Sequence, residues 1–426
     1  MGLSNMARGQ IVKGLSFLFL QVCFIVYLIL AGIDNLIGLY TLGTREQTKV
    51  FNEAKGIYEI IKGDNSMLML LAGVTALFVV TFFVIMWGAS IKSAYNAQKL
   101  KAAGKKLPGI IDDIKSLFDS NLHKLLLVIP IIGLIITTVL PLVYMILMAF
   151  TNYNMTHQPP GKLFDWVGLE NFRIMLMSSD KLGYTFWKIF GWTMIWAVFA
   201  TFSNYFLGMF LAILINSRGI RFKNVWRTIF VISVAVPTFV TLLVIRIMLQ
   251  EQGAFNILLK ELGFITKSIP FFTNATWARV TVIVVNLWIG IPHTMLITTG
   301  ILLNIPAELY ESARIDGAGP VKSFIHITMP YMLFITTPYL ITNFISNINN
   351  FNAIYFLTGG GPATLDYFKG AGKTDLLVTW LYRLTVDSWD YCYAATIGIF
   401  IFVISAVGSL IVYRRSGSYK KEEGFQ

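Results

Sequence analysis

NIPAELYESARIDGAGPVKSFIHITMP, residues 304–330, is the most internally organised polar segment of the chain. Asn304 can cap a first short helix and Pro306 can open it. Gly317 and Gly319 permit a turn, Pro320 takes the first position of a second helix, and Pro330 precedes the next apolar run. The expected local structure is a compact helix-turn-helix. Apolar runs flank it, near Val280 to Leu303 and Tyr331 to Leu357. Each is long enough to cross a hydrocarbon core of about 30 Å, which takes roughly 20 mostly apolar residues.

Six more runs meet that length, near Leu15 to Ile37, Met67 to Ile91, Leu125 to Phe150, Ile189 to Ile215, Thr228 to Leu249 and Cys392 to Tyr413. The fold class expected is therefore an all-α integral membrane protein with eight transmembrane helices. Composition agrees: 56% of the 426 residues are hydrophobic and 13% charged, against roughly 45–50% apolar in a soluble domain. The formal charge of +12 could suggest nucleic acid. Lys and Arg cluster between apolar runs, however, where they set membrane orientation. With both termini inside (N-in, C-in), 19 of the 34 Lys and Arg lie on the inner side. The acid-free SRGIRFKNVWR loop (217–227) and Arg414-Arg415 give the sharpest signals. The first run is too long for a signal peptide and lacks a small-residue cleavage pattern, so it is expected to be retained as a helix.

Polar groups inside a membrane are costly unless they find partners or line a wet cavity. Asn343, Ser346, Asn347 and Asn350, spaced i, i+3, i+4, i+7, make one helix face polar. Such a stripe fits a solute pathway or hydrogen bonding between helices. Asparagine suits sugar hydroxyls because its amide both donates and accepts. The preceding run carries Asn286, Gly290 and His293 on one face; Gly290 allows close approach and His293 is open to packing or ligand contact.

The 304–330 loop resembles the hallmark loop of the permease subunits of bacterial ATP-binding-cassette (ABC) importers: E-A-A, three residues, G, nine residues, I-x-L-P. Glu311, Ser312, Ala313, Gly317, Ile327, Met329 and Pro330 stand at that spacing, with Ser312 for an Ala and Met329 for the Leu. The resemblance implies that this loop, Asp316 included, docks on a separate cytoplasmic ATPase dimer, which binds ATP and Mg; no cofactor is expected in this chain. From about Thr228 to Tyr413 the chain is similar to the larger membrane subunit of maltose/maltodextrin importers, through VPTFVTLLV, NLWIGIP, TPYLITNFISNINNF, LTGGGP and TDLLVTWLYRLT. That similarity implies that Gly290, His293, Asn343, Ser346, Asn347, Asn350 and Asn352 surround an oligosaccharide. Family members carry aromatics at the His293 and Ser346 positions, a serine at Asn343 and a valine at Asn352. The short Thr151–Lys188 segment lacks a large folded insertion of the best-known Gram-negative member and resembles Gram-positive-type systems. Expected partners are a second permease subunit and a sugar-binding lipoprotein outside, with membrane lipid as solvent and the bacterial cytoplasmic membrane as location.

On this reading residues 1–124 form a two-helix region with a Lys-rich connector, 125–413 a six-helix permease core with the coupling loop 304–330, and 414–426 a cytoplasmic tail. Amphipathic IIDDIKSLF (110–118) lies within the connector. Several motifs are decoys. GAGKT (370–374) lacks the earlier glycine of a phosphate-binding loop, since position 367 is tyrosine. Asn154-Met155-Thr156 and Asn274-Ala275-Thr276 match the glycosylation pattern by chance. Cys23 and Cys392 lie in separate apolar runs, and His123, His157, His293 and His326 show no metal-binding spacing. A secondary transporter would need intramembrane carboxylates, of which the span interiors contain essentially none, and an enzyme would need a nucleophile with a base. A transport subunit is the expectation.

Overall fold

Backbone N–H and C=O groups find no water in hydrocarbon, so an apolar run crosses as a helix that bonds to itself. In the computed structural model the residues described are 1–53, 55–105, 107–217 and 219–415; Lys106, Arg218 and the tail residues 416–426, with Lys420 and Lys421, lie outside them. Among the described residues seven helices are long and apolar enough to span: Ile11–Thr41, Ser66–Ala102, Leu122–Met148, Lys181–Asn216, Ala275–Leu302, Pro320–Ile348 and Tyr391–Arg414. Asn65 caps the second, accepting from the Met67 and Leu68 amides. Asn274 caps the Ala275–Leu302 helix in the same way, accepting from Thr276 and Trp277. The second glycosylation-like motif is thus a helix start.

The span expected at Thr228 to Leu249 is not one helix. It is a pair, Lys223–Ala235 and Thr238–Met248, bent by 88°. Val236 is extended (φ −79°, ψ 128°). The ring of Pro237 disfavours helix in the residue before it, and Pro237 has no N–H to carry the hydrogen-bond ladder across. Taken as one span, the pair makes eight.

The helix expected at Tyr331 to Leu357 also differs, at both ends. It starts earlier, at Pro320, and runs unbroken to Ile348; a separate helix, Phe351–Leu357, follows. Pro330 therefore lies within the span and not before it. A prolyl ring inside a helix crowds the carbonyl four residues back and removes a bond. The widened π turn Phe324–Thr328 directly before Met329 accommodates this. Similar π turns widen three other spans, at Leu28–Gly32, Ile135–Val139 and Phe199–Ser203.

The chain divides into two compact units. The first comprises Met1–Asn171 with Asp390–Cys392 and holds the first three spans. Between spans one and two, β1 (Thr48–Asn52) and β2 (Ile57–Ile61) pair antiparallel, Thr48 opposite Ile61. IIDDIKSLF forms a helix, Ile110–Phe118, in the connector. Leu42, Leu70, Tyr153 and Phe164 form a small buried core. The third span buries none of its side chains, a surface suited to hydrocarbon. The second unit comprises Phe172–Trp389 and the chain from Tyr393 onward. Its core is aromatic: Phe186, Trp196, Tyr205 and Trp380 are fully buried. Trp192 and Trp196 each place an indole N–H on a backbone carbonyl, of Thr374 and Asn347 respectively, which satisfies the polar end of an otherwise apolar ring.

Candidate coupling loop and solute pathway

The loop begins as a helix, Ala307–Ile315, flanked by Pro306; Asn304 does not cap it. Its end is defined by Gly317, at φ +73°, a left-handed conformation that glycine adopts without steric cost. There the Ala318 amide donates to the Ala313 carbonyl at 2.8 Å and the Gly317 amide to Arg314 at 3.0 Å. Gly319 then precedes Pro320, the first residue of the long helix. Glu311, Ser312 and Asp316 are exposed and Ala313 half-buried. Leu309, Ile315 and Val321 are exposed as well, an apolar surface beside the Glu311 carboxylate. The Tyr310 hydroxyl meets that of Thr328 at 2.8 Å, tying the short helix to the π turn of the long one. Ile327 is half-buried in that turn and Pro330 is exposed. A cleft of about 660 Å³ lies between the two limbs, with Asn216, Glu311, Arg314 and Thr328 on its walls.

Of the polar stripe, Asn343, Ser346 and Asn347 share one helix. Asn347 is buried; its amide donates to the Thr201 hydroxyl at 3.0 Å and lies 3.4 Å from the Asn343 oxygen. Thr201 belongs to the π turn of the neighbouring span. Ser346 is exposed. Asn350 lies beyond the helix end, and its oxygen accepts from the Ala353 amide at 3.1 Å to start Phe351–Leu357. Asn352, in that next helix, is exposed. The four-residue stripe is therefore divided, because asparagine side chains compete with the backbone for hydrogen bonds and favour caps.

Gly290 and His293 lie on the Ala275–Leu302 helix. A Cβ on Gly290 would overlap the Asn204 side chain, so this glycine lets the Asn204 side chain pack directly against the helix backbone. Asn204 donates to the Ala200 carbonyl at 2.7 Å. Its oxygen, and the Asn286 amide nitrogen one turn before Gly290, are buried without a hydrogen-bond partner among the described residues. His293 is exposed. Gly290 and His293 both line a pocket of about 450 Å³ closed by Trp288, Val236 and Thr238, at the 88° bend. Trp288 and Thr238 were not anticipated as site residues; the Val236-Pro237 step was the signal that a bend, and hence a pocket, lies here.

After the helix Phe351–Leu357, Gly359–Asp375 forms an ordered loop. Asp375 accepts from the Gly372 amide and from Thr379, and sits 3.3 Å from the Arg383 guanidinium. Burial pushes this carboxyl above the usual carboxylate range, and the Arg383 charge opposes that shift.

The chain has similar proteins of known type. Residues 204–416 match the family model described as binding-protein-dependent transport system inner membrane component. The galactooligosaccharides transport system permease protein of Bacillus subtilis is 34% identical over 99% of this chain and 96% of its own length. The maltodextrin transport system permease protein of Streptococcus pneumoniae is 33% identical over 99% and 95%. Both matches run nearly end to end, as expected for a chain without a large insertion. A bacterial ABC transporter involved in import of the acidic polysaccharide alginate shares the fold, with a TM-score of 0.54 and 22% identity over 70% of this chain and 96% of that one. Multi-pass architecture, hallmark loop and full-length relatives agree: the chain belongs to the family of inner-membrane components of binding-protein-dependent transport systems, and is a transport subunit, not an enzyme.

Proposed function

We propose that this chain is the membrane-spanning permease subunit of an ABC importer that carries maltodextrin-type oligosaccharides inward across the cytoplasmic membrane. With both termini inside, the loop 304–330 meets the cytoplasmic ATPase dimer, which binds ATP and Mg. A second permease subunit completes the pathway, and a sugar-binding lipoprotein delivers the ligand from outside. One observation carries the reading: the helix that leaves the coupling loop at Pro320 continues unbroken for 29 residues to Ile348 and bears Asn343, Ser346 and Asn347. At 1.5 Å per residue it is about 43 Å long. Displacement of the loop by the ATPase is thereby delivered, as motion of one rigid element, to the polar face.

On this reading the loop supplies a charged contact through Glu311 and apolar contacts through Leu309 and Ile315. The sugar is met by side chains facing open space, Ser346, Asn352 and His293, while Asn347 holds the neighbouring span in register. Relatives named for maltodextrins and for galactooligosaccharides are almost equally similar, at 33% and 34%. The linkage is therefore decided by measurement. Uptake by the reconstituted importer, compared between maltotriose and a galactooligosaccharide of equal length, tests it. Preference for the maltodextrin is expected; preference for the galactooligosaccharide makes that the substrate, and uptake of neither overturns the proposal.

A further inference from the structure

We propose that the first unit contains a binding site for the phosphate headgroup of an anionic phospholipid, in a cavity of about 870 Å³ between the first two spans and the connector. Its volume is comparable to that of ligand pockets, roughly 300–1,000 Å³. Three segments build it: the first turns of Ile11–Thr41, the last turns of Ser66–Ala102, and Pro108 to Lys124 leading into the third span. All three are ends of spans on the same side of the membrane, so the cavity lies at headgroup depth whichever way the chain is inserted.

Charge selects the ligand's sign. Lys13, Lys92 and Lys124 line the cavity against one carboxylate, Asp113. Asp113 pairs with Lys13 at 3.1 Å. Lys124 is held by the Asn121 oxygen at 2.6 Å, and Lys92 has no acidic partner among the described residues. Two ammonium groups are left uncompensated in one concave space. Ser93 and Asn96 add neutral donors, and phosphate oxygens accept from both kinds.

Apolar surface selects the ligand's body. Val12, Phe17 and Ile114 form the remaining wall, and Val12 and Ile114 are about half exposed, at 47% and 49%. A soluble phosphate would leave these side chains in water; a lipid covers them with its glycerol and upper acyl segments. A basic pocket between spans with an apolar wall matches the requirements of an anionic lipid. This gives the two-helix extension a role as a lipid anchor, separate from the sugar reading.

The test uses the full-length chain, purified with the subunits it assembles with, delipidated and titrated with phosphatidylglycerol or phosphatidylcholine under native mass spectrometry. Each lysine near a membrane surface contributes roughly fivefold. The variant Lys13→Gln/Lys92→Gln/Lys124→Gln is expected to lose phosphatidylglycerol affinity by about tenfold or more. A charge-matched control, Lys99→Gln/Lys101→Gln/Lys105→Gln, lies on the same side but outside the cavity and is expected to bind as wild type. Asp113→Asn, which frees Lys13, is expected to bind severalfold more tightly, and this holds the proposal testable if the triple variant fails to assemble. Equal losses in pocket and control variants, undiminished binding in the pocket variant, or no gain in Asp113→Asn overturns the site. Displacement of the lipid by millimolar inorganic phosphate overturns its assignment to a lipid.

Discussion

The Asn347 amide is committed to Thr201 on the neighbouring span, whereas Ser346, one residue earlier, faces open space. The two therefore respond differently to leucine. Asn347→Leu removes an interhelical bond of a kind that contributes about 0.6 kcal/mol on average and up to about 1.7, and should lower the thermal midpoint of the solubilised complex. Ser346→Leu should leave that midpoint unchanged and raise the KM for sugar uptake. The reverse pattern would exchange their roles. Gly290 gives a second contrast at this scale. Gly290→Ala overpacks against Asn204 and should cost about 1–3 kcal/mol; adding Asn204→Ala, which vacates the space, should restore much of the loss. Thermal unfolding of Gly290→Ala, Asn204→Ala and the double variant measures this, and no rescue would mean that the glycine serves ligand approach alone. At residue scale the sequence showed which positions are polar inside the membrane but not what they bond to. Period alone puts Asn343, Ser346, Asn347 and Asn350 on one face; the helix end at Ile348 that removes Asn350 from it arises from side-chain competition for backbone groups.

Helices follow hydrophobic length closely here, because a bilayer allows few alternatives to a self-bonded helix. Breaks follow proline and asparagine chemistry, which length does not report. Val236-Pro237 converts one expected span into a pair bent by 88°, and the bend frames the pocket of Gly290 and His293. Pro237→Leu restores an N–H and frees Val236 to become helical. The pair should straighten, and sugar uptake should fall severalfold while the amount of chain in the membrane, read by immunoblot, is unchanged. Normal uptake would remove the bend from the transport pathway. Pro330, by contrast, does not break its helix, since the π turn Phe324–Thr328 absorbs its demands. The hairpin of β1 and β2 escaped sequence reading for another physical reason: most of its residues are exposed on both faces, so no alternating pattern marks it.

For the whole molecule, composition and the spacing of apolar runs specify an all-α membrane protein, and Glu311, Ala313, Gly317 and Pro330 at fixed spacing point to an importer permease. Matches to transport permeases over 99% of the chain agree with both. The continuity of Pro320–Ile348 was not legible, because Pro330 reads locally as a boundary between the loop's second helix and the next apolar run. On the proposed function, that continuity makes the loop and the polar face one moving part. The measurement that tests this most directly is ATP hydrolysis by the assembled importer in proteoliposomes, with sugar-loaded binding protein, for wild type and Glu311→Lys. Charge reversal at an exposed docking helix replaces attraction with repulsion and leaves the spans untouched. The account predicts an assembled Glu311→Lys complex with neither stimulated hydrolysis nor uptake; wild-type stimulation and uptake by that variant would contradict it.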